Sequence, residues 1–335
     1  MNLSVDDDVL NVLWRSRNTA RAIEEALATS SVPRGLRVRV VTDLEKAEAD
    51  KDWPTVLVDG NPSATLLAGT CLTTVVVPFA GVSADLRSAA LAHPRLRVRN
   101  SHYNAKMVAQ HATALLLAVA NRIIPADAAL RRGDWGTTGT QANLGVDLTD
   151  KRALLLGHGS IGRALAPMLQ SLGLSLVAFT RSGKTTDGIV AVGPERWRDE
   201  LSSADVVICT LPGTPETIGL VGAPELASLH ERAIVVNVGR GPVIDEDALY
   251  LALAEGRLFG AGLDVWYRYP EDRHSRSSTL PATRPFHELA NVVMSPHRAD
   301  EVEGWQRHAV TDLLATLQDV KAGGSRNLVD LDRGY

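Results

Sequence analysis

The sequence predicts an α/β protein with two doubly wound domains, each built on a parallel β-sheet. Its 335 residues are too many for one ordinary hydrophobic core, so two domains are expected. Short apolar runs alternate with polar, helix-compatible segments in the first hundred residues and again after residue 150, which is typical of parallel strands joined by crossover helices. A glycine-rich run at 157–162 joins a strand to a helix and indicates a ligand site.

The predicted elements follow from the apolar runs in chain order. A long Ala- and Leu-rich helix at about 105–121 is expected to be buried on most sides, since it has almost no polar face. A last helix at about 303–320 is far from the N-terminal region in sequence, yet we expect it to return and cover the first domain. The predicted strands lie at 10–14, 36–41, 55–58, 73–77, 96–98, 154–156, 174–179, 206–211, 233–238, 258–263 and 291–295.

The glycine-rich run has the spacing of a dinucleotide-binding turn. Gly157 allows the tight turn, Gly159 lets the backbone approach a pyrophosphate, and Gly162 lets the following helix pack closely on the strand. The free amides at that helix N-terminus favour the anionic pyrophosphate. The alternative is an ordinary glycine-rich turn. The residues between the glycines are His158, Ser160 and Ile161, and we expect them to lie beside the phosphates. His158 is expected to be a surface residue that contributes little to cofactor binding.

The end of the next strand predicts the choice between the two nicotinamide cofactors. An NAD-preferring site usually has Asp or Glu there, but this chain has Thr180, Arg181 and Ser182. A guanidinium and two hydroxyls would hold the additional 2′-phosphate through charge-assisted hydrogen bonds. The sequence therefore favours NADP(H) over NAD(H). Alternatively, Arg181 stacks on adenine or points into solvent.

Composition and charge exclude several classes of protein. A net charge of −4 with 22% charged residues argues against nucleic acid or an anionic membrane as the main partner. No apolar run reaches spanning length, and the acidic start does not resemble a signal peptide, so a cytoplasmic protein is expected. Cys71 and Cys209 lie in apolar runs, which predicts buried, reduced thiols and no metal site.

Three polar side chains stand just after predicted strands, where open α/β sheets bind their ligands. Arg240 is flanked by glycines and would bind a carboxylate through its planar fork. Asp264 would accept from a nicotinamide carboxamide. His297 is the side chain best suited to exchange a proton near neutral pH. These residues predict an enzyme.

Over nearly the whole chain, the order of motifs resembles the D-isomer-specific 2-hydroxyacid dehydrogenase family. That family includes glyoxylate/hydroxypyruvate reductases and formate and phosphite dehydrogenases. The matching motifs are Pro78-Phe79-Ala80-Gly81-Val82, Val108-Ala109-Gln110-His111, Gly133-Asp134-Trp135, Leu211-Pro212 with Thr214-Pro215-Glu216-Thr217, Asn237 to Gly241, Gly260 to Val265, and Ser295-Pro296-His297.

The resemblance implies a Rossmann NAD(P)-binding domain at 102–299 and a discontinuous, flavodoxin-like substrate domain at 1–101 plus 300–335. It also implies a homodimer formed through the central domain and an active site in the cleft between the domains. Further cofactor contacts implied by the family pattern are Leu211, Pro212, Thr217, Val238, Gly239 and Asp264.

The activity implied by the resemblance is oxidoreduction with NAD(P)H. A hydride passes between nicotinamide C4 and C2 of a small 2-oxo or 2-hydroxy acid, and His297 exchanges a proton with the C2 oxygen. Arg240 and the loop at Phe79, Ala80 and Gly81 would bind the substrate carboxylate. Asn104 would contact substrate or, equally, cap a helix.

One departure from the family concerns the histidine's partner. The family has Glu at the position of Tyr269; a phenol can hydrogen-bond an imidazole but carries no charge at neutral pH. Protonated His297 should therefore be less favoured, unless Asp300, Glu301 or Glu303 replaces the glutamate. This departure keeps two alternatives open, a dehydrogenase of formate- or phosphite-like anions and a non-catalytic NAD(P)-sensing corepressor.

Two regions bear on substrate size and access. The Arg-, Ser- and Pro-rich segment 268–284 is interpreted as a solvated surface loop or, alternatively, a lid. Aromatic residues that would suit a nonpolar or extended substrate group are predicted to line the pocket; they are Trp14, Phe79, Tyr103, Tyr267 and Trp305.

Overall fold

A computed structural model describes residues 9–16, 20–136 and 138–332. The chain divides into two compact units. Unit 1 combines Met1–Asn104 with Val302–Tyr335, and unit 2 is Ala105–Glu301. The predicted domain boundaries, after residue 101 and before residue 300, lie a few residues from these limits.

Strands and helices alternate through most of the described residues. The strands are β1 (Leu10–Arg15), β2 (Leu36–Val41), β3 (Val56–Val58), β4 (Thr74–Val76), β5 (Arg97–Arg99), β6 (Arg152–Leu156), β7 (Ser175–Phe179), β8 (Val190–Val192), β9 (Val206–Cys209), β10 (Ile234–Asn237), β11 (Gly260–Leu263) and β12 (Val292–Met294). The α-helices are α1 (Ala20–Ala28), α2 (Leu44–Ala49), α3 (Ala64–Leu67), α4 (Ala84–Leu91), α5 (Ala105–Ala120), α6 (Ile123–Leu130), α7 (Ser160–Ser171), α8 (Ala223–Ala227), α9 (Glu246–Ala254) and α10 (Trp305–Lys321).

Unit 1 contains a five-stranded parallel sheet in the order β2-β1-β3-β4-β5. This is the flavodoxin-like order, so that prediction is confirmed. Alternate residues of the central strands enter two different cores, because successive side chains point to opposite faces. Leu13 and Leu57 pack on one face of the sheet, and Val12 and Val56 pack on the other.

The C-terminal helix α10 packs onto unit 1, as expected from the sequence. Its residues Val310, Leu313 and Leu317 belong to the same buried cluster as Val12 on β1. The segment after α10 continues along the sheet edge, where the amide of Val329 donates to the carbonyl of Val98 over 2.9 Å. Unit 1 is therefore built from two distant parts of the chain.

Unit 2 contains a seven-stranded parallel sheet in the order β12-β11-β10-β9-β6-β7-β8. Counted from β6, the first six strands have the doubly wound order of dinucleotide-binding domains, which confirms the predicted Rossmann-type fold. β8, a three-residue edge strand whose Val190 is exposed, was not predicted from the sequence. Gly262 lets α5 approach β11, since a Cβ there would lie 2.8 Å from the Cβ of Leu115.

Several expectations about single residues are wrong. Cys209 is buried in β9, and burial raises the pKa of its thiol to about 12, but Cys71 is exposed in the turn before β4. Trp14 is a core residue of unit 1 with 3% of its surface exposed, and the cavity that it lines has a volume of only about 10 Å³, too small for a substrate. Tyr267 packs against Phe286 in the core of unit 2 and donates its hydroxyl to the carbonyl of Ile244.

Among the described helices, no single one is long and apolar enough to cross a membrane. Helices α5 and α6 reach that length and composition only as a pair, and they are bent by 63° where they meet. Most apolar residues of α5 are buried within unit 2.

Candidate active site

The glycine turn between β6 and α7 has the geometry that a dinucleotide requires. Gly157 has a φ of +100°, a conformation that L side chains rarely adopt. A Cβ on Gly162 would lie 2.5 Å from the carbonyl oxygen of Gly157, so only glycine permits this close packing. No atom lies within 4 Å of a Cβ built on Gly159. The turn is thus closely packed at Gly157 and Gly162 and open at Gly159.

Two buried polar atoms beside this turn lack a protein partner. They are Nε2 of His158 and Oγ1 of Thr180, and in the described part of unit 2 no other buried side-chain nitrogen or oxygen shares this property. Buried polar groups are nearly always hydrogen-bonded, because an unsatisfied one costs about 1–3 kcal/mol. Polar atoms of a bound dinucleotide would supply the missing partners. The residues present therefore fit a nicotinamide dinucleotide.

His158 is not the surface residue that the sequence suggested. Only 6% of its surface is exposed, and its Nδ1 lies 3.1 Å from Oγ1 of Thr186. Burial and the nearby positive charge of Arg163 lower the pKa of His158, so the ring is neutral at neutral pH. A neutral imidazole can donate from one nitrogen and accept at the other.

The other residues predicted to contact the cofactor lie around the same edge of the sheet. Arg181 and Ser182 are exposed directly after β7, and Ser160 and Ile161 form the first turn of α7. In the loop after β9, the hydroxyl of Thr217 donates to the carbonyl of Pro212 over 2.5 Å, which ties the loop together. Leu211 is half-buried in this loop; Val238 and Gly239 are buried after β10.

Asp264, directly after β11, is the centre of a hydrogen-bond network within the protein. It is 1% exposed and accepts the hydroxyl proton of Ser295 over 2.5 Å. The amides of Arg298 and Ala299 also donate to its two oxygens, over 3.0 and 3.2 Å. The carboxylate therefore fixes the loop that carries His297. Its predicted contact with a nicotinamide remains a prediction.

Sequence reasoning missed two members of this network, His111 and Ser295. Nε2 of His111, on α5, lies 2.9 Å from the hydroxyl of Ser295 and 3.4 Å from Asp264 Oδ1. Both residues stand in motifs that were noted, but 184 residues separate them, so no local spacing indicates the contact.

His297 has an unusual backbone conformation, with a φ of +53°. A non-glycine residue in the left-handed region costs free energy that the surrounding structure has to supply, and such residues are common at functional sites. The side chain is exposed in unit 2, yet nearby protein atoms partly desolvate the ring. This desolvation lowers the pKa of His297; Arg240 lowers it further, whereas Asp264 and Asp300 raise it.

Tyr269 contacts His297 through its ring. The two ring centroids are 5.5 Å apart at an interplanar angle of 54°. The phenol oxygen accepts from the amide of Trp266 over 3.0 Å, and no hydrogen bond joins Tyr269 to His297 among the described residues. Partial burial raises the pKa of Tyr269, so the phenol stays neutral. The histidine therefore has an uncharged aromatic neighbour at this position.

Arg240 is half-buried in the loop after β10. Its Nη1 donates to the carbonyl of Gly239 over 2.7 Å, and the amide group of Asn237 donates to the Arg240 carbonyl over 3.1 Å. The side chain passes Gly213, where a Cβ would lie 3.3 Å from Arg240 Cγ. These contacts hold the guanidinium while leaving most of its five donors available.

An open cavity of about 740 Å³ lies beside these residues and entirely within unit 2. His297, Tyr269 and Ser295 line it, together with residues of the segment 268–284. That segment is mostly exposed, as the surface-loop interpretation requires, but it also forms one wall of this cavity.

The substrate residues predicted in unit 1 lie on the loop after β4 and near its last strand. Phe79 is 44% exposed and lies over Gly60, while Ala80 and Gly81 are half-buried. The amide group of Asn100 donates to the carbonyl of Ala80 over 2.9 Å and so holds this loop. Asn104 is half-buried at the end of the unit.

Another feature of unit 1 was not anticipated from the sequence. Arg15, the last residue of β1, and Asp59, directly after β3, form a buried bidentate ion pair with one N–O distance of 2.7 Å. Nη2 of Arg15 also donates to the carbonyl of Asn61 over 2.8 Å.

The aromatic residues Tyr103 and Trp305 stack on each other, with their ring centroids 5.9 Å apart.

The fold and the glycine turn of unit 2 define a Rossmann-type dinucleotide-binding protein with a histidine and an arginine beside the sheet. A family model for the NAD-binding domain of D-isomer specific 2-hydroxyacid dehydrogenases matches residues 113–299. The chain therefore belongs to the D-isomer specific 2-hydroxyacid dehydrogenase family.

Curated relatives include enzymes that act on different acids. The D-3-phosphoglycerate dehydrogenase of Mycobacterium tuberculosis is 33% identical over 255 residues, which are 74% of this chain and 45% of the relative. The glyoxylate reductase of Thermococcus litoralis is 35% identical over 192 residues, which are 56% of this chain and 55% of the relative. The chain thus spans about half the length of the curated relatives that it matches.

Solved structures match nearly the whole chain. A D-isomer specific 2-hydroxyacid dehydrogenase from Xanthobacter autotrophicus Py2, in complex with NADPH and MES, is 27% identical with a TM-score of 0.79; the match covers 98% of this chain and 100% of that one. An NADPH-dependent glyoxylate/hydroxypyruvate reductase from Sinorhizobium meliloti, in complex with NADP and malonate, is 26% identical with a TM-score of 0.69. That match covers 97% of this chain and 98% of the other.

Proposed function

We propose that this protein is an NADP(H)-dependent oxidoreductase that interconverts a small 2-oxo acid and the corresponding 2-hydroxy acid. When bound, the reduced cofactor supplies a hydride to C2 of the 2-oxo acid. His297 supplies the proton that the C2 oxygen takes up, so the carbonyl becomes a hydroxyl and the histidine is left neutral. In the oxidative direction, the same imidazole accepts the hydroxyl proton.

Arg240 is proposed to bind the substrate carboxylate. Its guanidinium can hold a carboxylate through two parallel hydrogen bonds, which fixes the orientation of the C2 carbonyl. The same positive charge would stabilise negative charge that develops on the C2 oxygen. In unit 1, the predicted substrate contacts of Phe79, Ala80, Gly81 and Asn104 remain predictions.

The observation that carries this proposal is the pair of unpartnered buried atoms on His158 and Thr180 at an open glycine turn. They indicate that this edge of the sheet is made for a polar ligand. His297 and Arg240 follow other strands of the same sheet, where its parallel strands all end.

The preference for NADP(H) rests on Arg181. It lies exposed after β7, where NAD-preferring proteins have a carboxylate. Two similar structures are complexes with NADPH and with NADP. Arg181→Ala should weaken the binding of NADPH about tenfold and that of NADH little, because only NADPH carries the 2′-phosphate. Equal effects on the two cofactors would contradict this assignment.

A homodimer is proposed from the apolar surface of α6 and the loop after it. Ile123, Ile124 and Leu130 are each at least 50% exposed, and Trp135 is 71% exposed. Exposed apolar residues grouped in one region mark an interaction surface, and a second copy is the commonest partner. Ile124→Glu should convert the dimer to a monomer in sedimentation velocity. A wild-type monomer would refute the assignment.

The cytoplasmic location also remains a prediction.

The first experiment is to measure NADPH oxidation by the purified protein with glyoxylate, hydroxypyruvate, pyruvate and longer 2-oxo acids. His297→Ala should lower kcat by about 10²–10⁴-fold, since a positioned general acid contributes that much. NADPH affinity serves as the control, because it should not change.

Two results would point away from this function. Turnover of formate or phosphite with NADP⁺, without turnover of any 2-oxo acid, would identify a dehydrogenase of another small anion. Tight NADPH binding without turnover of any substrate would instead support the non-catalytic sensor, in which Tyr269 replaces the family's glutamate.

A further inference from the structure

We infer that the cavity beside His297 is a subsite for a second anionic group, so that the preferred substrate is a 2-oxo acid with a carboxylate or phosphate at its far end. This inference rests on the proposed function. It assigns to Arg268 and Arg276 the recognition of that distal anion.

The cavity has the size and composition of a small-molecule site. Its volume of about 740 Å³ lies within the usual range for ligand pockets. His297 and Tyr269 lie on its wall, so a substrate whose C2 oxygen meets the imidazole can extend into it. Trp266 and Pro281 add apolar surface that would contact the carbon chain.

Two guanidinium groups line the cavity, and neither has a hydrogen bond or an ion pair within the described ranges. These groups belong to Arg268 and Arg276. The contrast with Arg284 at the end of the same segment is informative, because Arg284 Nε donates to Asp247 over 2.7 Å. Arg284 is thus held by α9 and is not available to a ligand in the cavity. Unpaired guanidiniums at a cavity wall are instead available to an anion.

Hydrogen bonds hold the two arginines on a fixed loop. The amides of Tyr267 and Arg268 both donate to the carbonyl of Pro281, over 3.2 and 2.9 Å. Close to Arg276, the amide of Ser275 donates to Asp272 over 2.8 Å, and the Asp272 amide donates back to the Ser275 hydroxyl over 3.1 Å. A loop fixed before binding loses less conformational entropy when the ligand arrives.

The cavity also contains carboxylates, which makes the subsite selective. Asp300 and Glu301 line it, and Glu301 lies 4.0 Å from Nε of Arg298. Since these charges offset the two arginines, net charge alone does not attract an anion. Recognition therefore depends on direct guanidinium contact, which requires an anionic group at the correct distance from C2.

The test compares acids of equal chain length. Reduction of 2-oxoglutarate and 2-oxopentanoate is measured for the wild type, Arg268→Gln, Arg276→Gln and the control Arg273→Gln, which replaces an exposed arginine of the same segment that does not line the cavity. We expect the wild type to prefer the diacid, and each cavity variant to lower kcat/KM for the diacid about tenfold or more. Turnover of the monoacid should not change, and Arg273→Gln should affect neither acid.

A third substrate, 3-phosphohydroxypyruvate, identifies the distal anion. A preference for it that is lost in Arg268→Gln and Arg276→Gln also supports the subsite and assigns phosphate rather than carboxylate. A wild type that reduces the monoacid as well as both dianions overturns the inference while the proposed function stands.

Calorimetric titration with glutarate and pentanoate tests the subsite independently of turnover. Glutarate should bind more tightly, and the two cavity variants should abolish the difference. If no 2-oxo acid is reduced but glutarate still binds preferentially, the proposed function fails and the anion subsite stands. Equal binding of the two acids would overturn the subsite whatever the turnover.

Discussion

Polar side chains at strand ends have different hydrogen-bond partners in the two sheets. In unit 1, the polar side chains at the ends of β1 and β3 satisfy each other, since Arg15 and Asp59 form a buried ion pair. In unit 2, the residues after β6 and β7 leave buried polar atoms without a partner, on His158 and Thr180. Both sheets are parallel and doubly wound, so the difference comes from the residues at the strand ends. At the ends of β1 and β3 the polar side chains of unit 1 stabilise each other, whereas after β6 and β7 of unit 2 a ligand could supply the missing partners.

Breaking the ion pair of unit 1 should have the largest effect on stability. Asp59→Ala leaves the guanidinium of Arg15 buried without its countercharge, so the free energy of unfolding should fall by about 3–5 kcal/mol. Urea denaturation measures this loss. The control Asp50→Ala breaks an exposed pair with Arg39 and should cost less than about 1 kcal/mol. Equal losses in the two variants would contradict the contrast drawn between the units.

In unit 2, the network around Asp264 should affect turnover more than binding. Ser295→Ala removes the hydroxyl that joins Asp264 to His111, so the loop that carries His297 loses part of its support. We expect kcat to fall about ten- to thirtyfold with little change in KM, because the lost hydrogen bonds stabilise the position of His297 by about 1–2 kcal/mol. The exposed Ser278→Ala is the control. A change in KM alone would show that the network serves binding instead.

The pH dependence of turnover tests the replacement of glutamate by Tyr269. Reduction requires protonated His297, and the pKa of this residue is lowered, so turnover should fall as pH rises through a value below the ordinary histidine pKa. Tyr269→Glu places a negative charge beside the imidazole and should raise that pH by about one unit. Tyr269→Phe keeps the ring without the charge and should leave the midpoint unchanged. A shift in the opposite direction would exclude His297 as the acid.

The smallest effect should come from the unpartnered hydroxyls themselves. Thr180→Val removes a buried hydroxyl that has no protein partner, so stability should change little, whereas NADPH should bind about fivefold more weakly. Unit 1 provides the matched control, because Thr316 also has a buried hydroxyl without a partner. Thr316→Val should leave NADPH affinity unchanged. If both variants bind NADPH like the wild type, the hydroxyl of Thr180 does not contact the cofactor.

The parts of the fold that were predictable are those that local spacing encodes. The glycine turn requires a positive φ at residue 157 and close packing at residue 162, and each requirement selects glycine directly. Long apolar strands were found for the same reason, because burial on both faces leaves a continuous pattern. The short strand β8 lacks that pattern, since its Val190 is exposed.

Features that depend on distant contacts could not be predicted. The link from His111 to Ser295 and the pair of Arg15 with Asp59 join residues 184 and 44 positions apart. Burial of single residues in turns was also misjudged: Cys71 is exposed although it begins an apolar run, and His158 is buried although glycines surround it. In each case the contact or the degree of burial depends on how neighbouring elements pack, and the local sequence does not encode that packing.

The return of α10 to unit 1 has a consequence for synthesis on the ribosome. Val310, Leu313 and Leu317 complete a buried cluster with β1 and β3, which lie about 250 to 300 residues earlier in the chain. Unit 2 is continuous and can fold as soon as residue 301 has left the exit tunnel. Until α10 is made, α1 alone covers the corresponding face of β1 and β3. The N-terminal segment of unit 1 is thus expected to finish folding after unit 2, and during that interval it is the segment most in need of a chaperone.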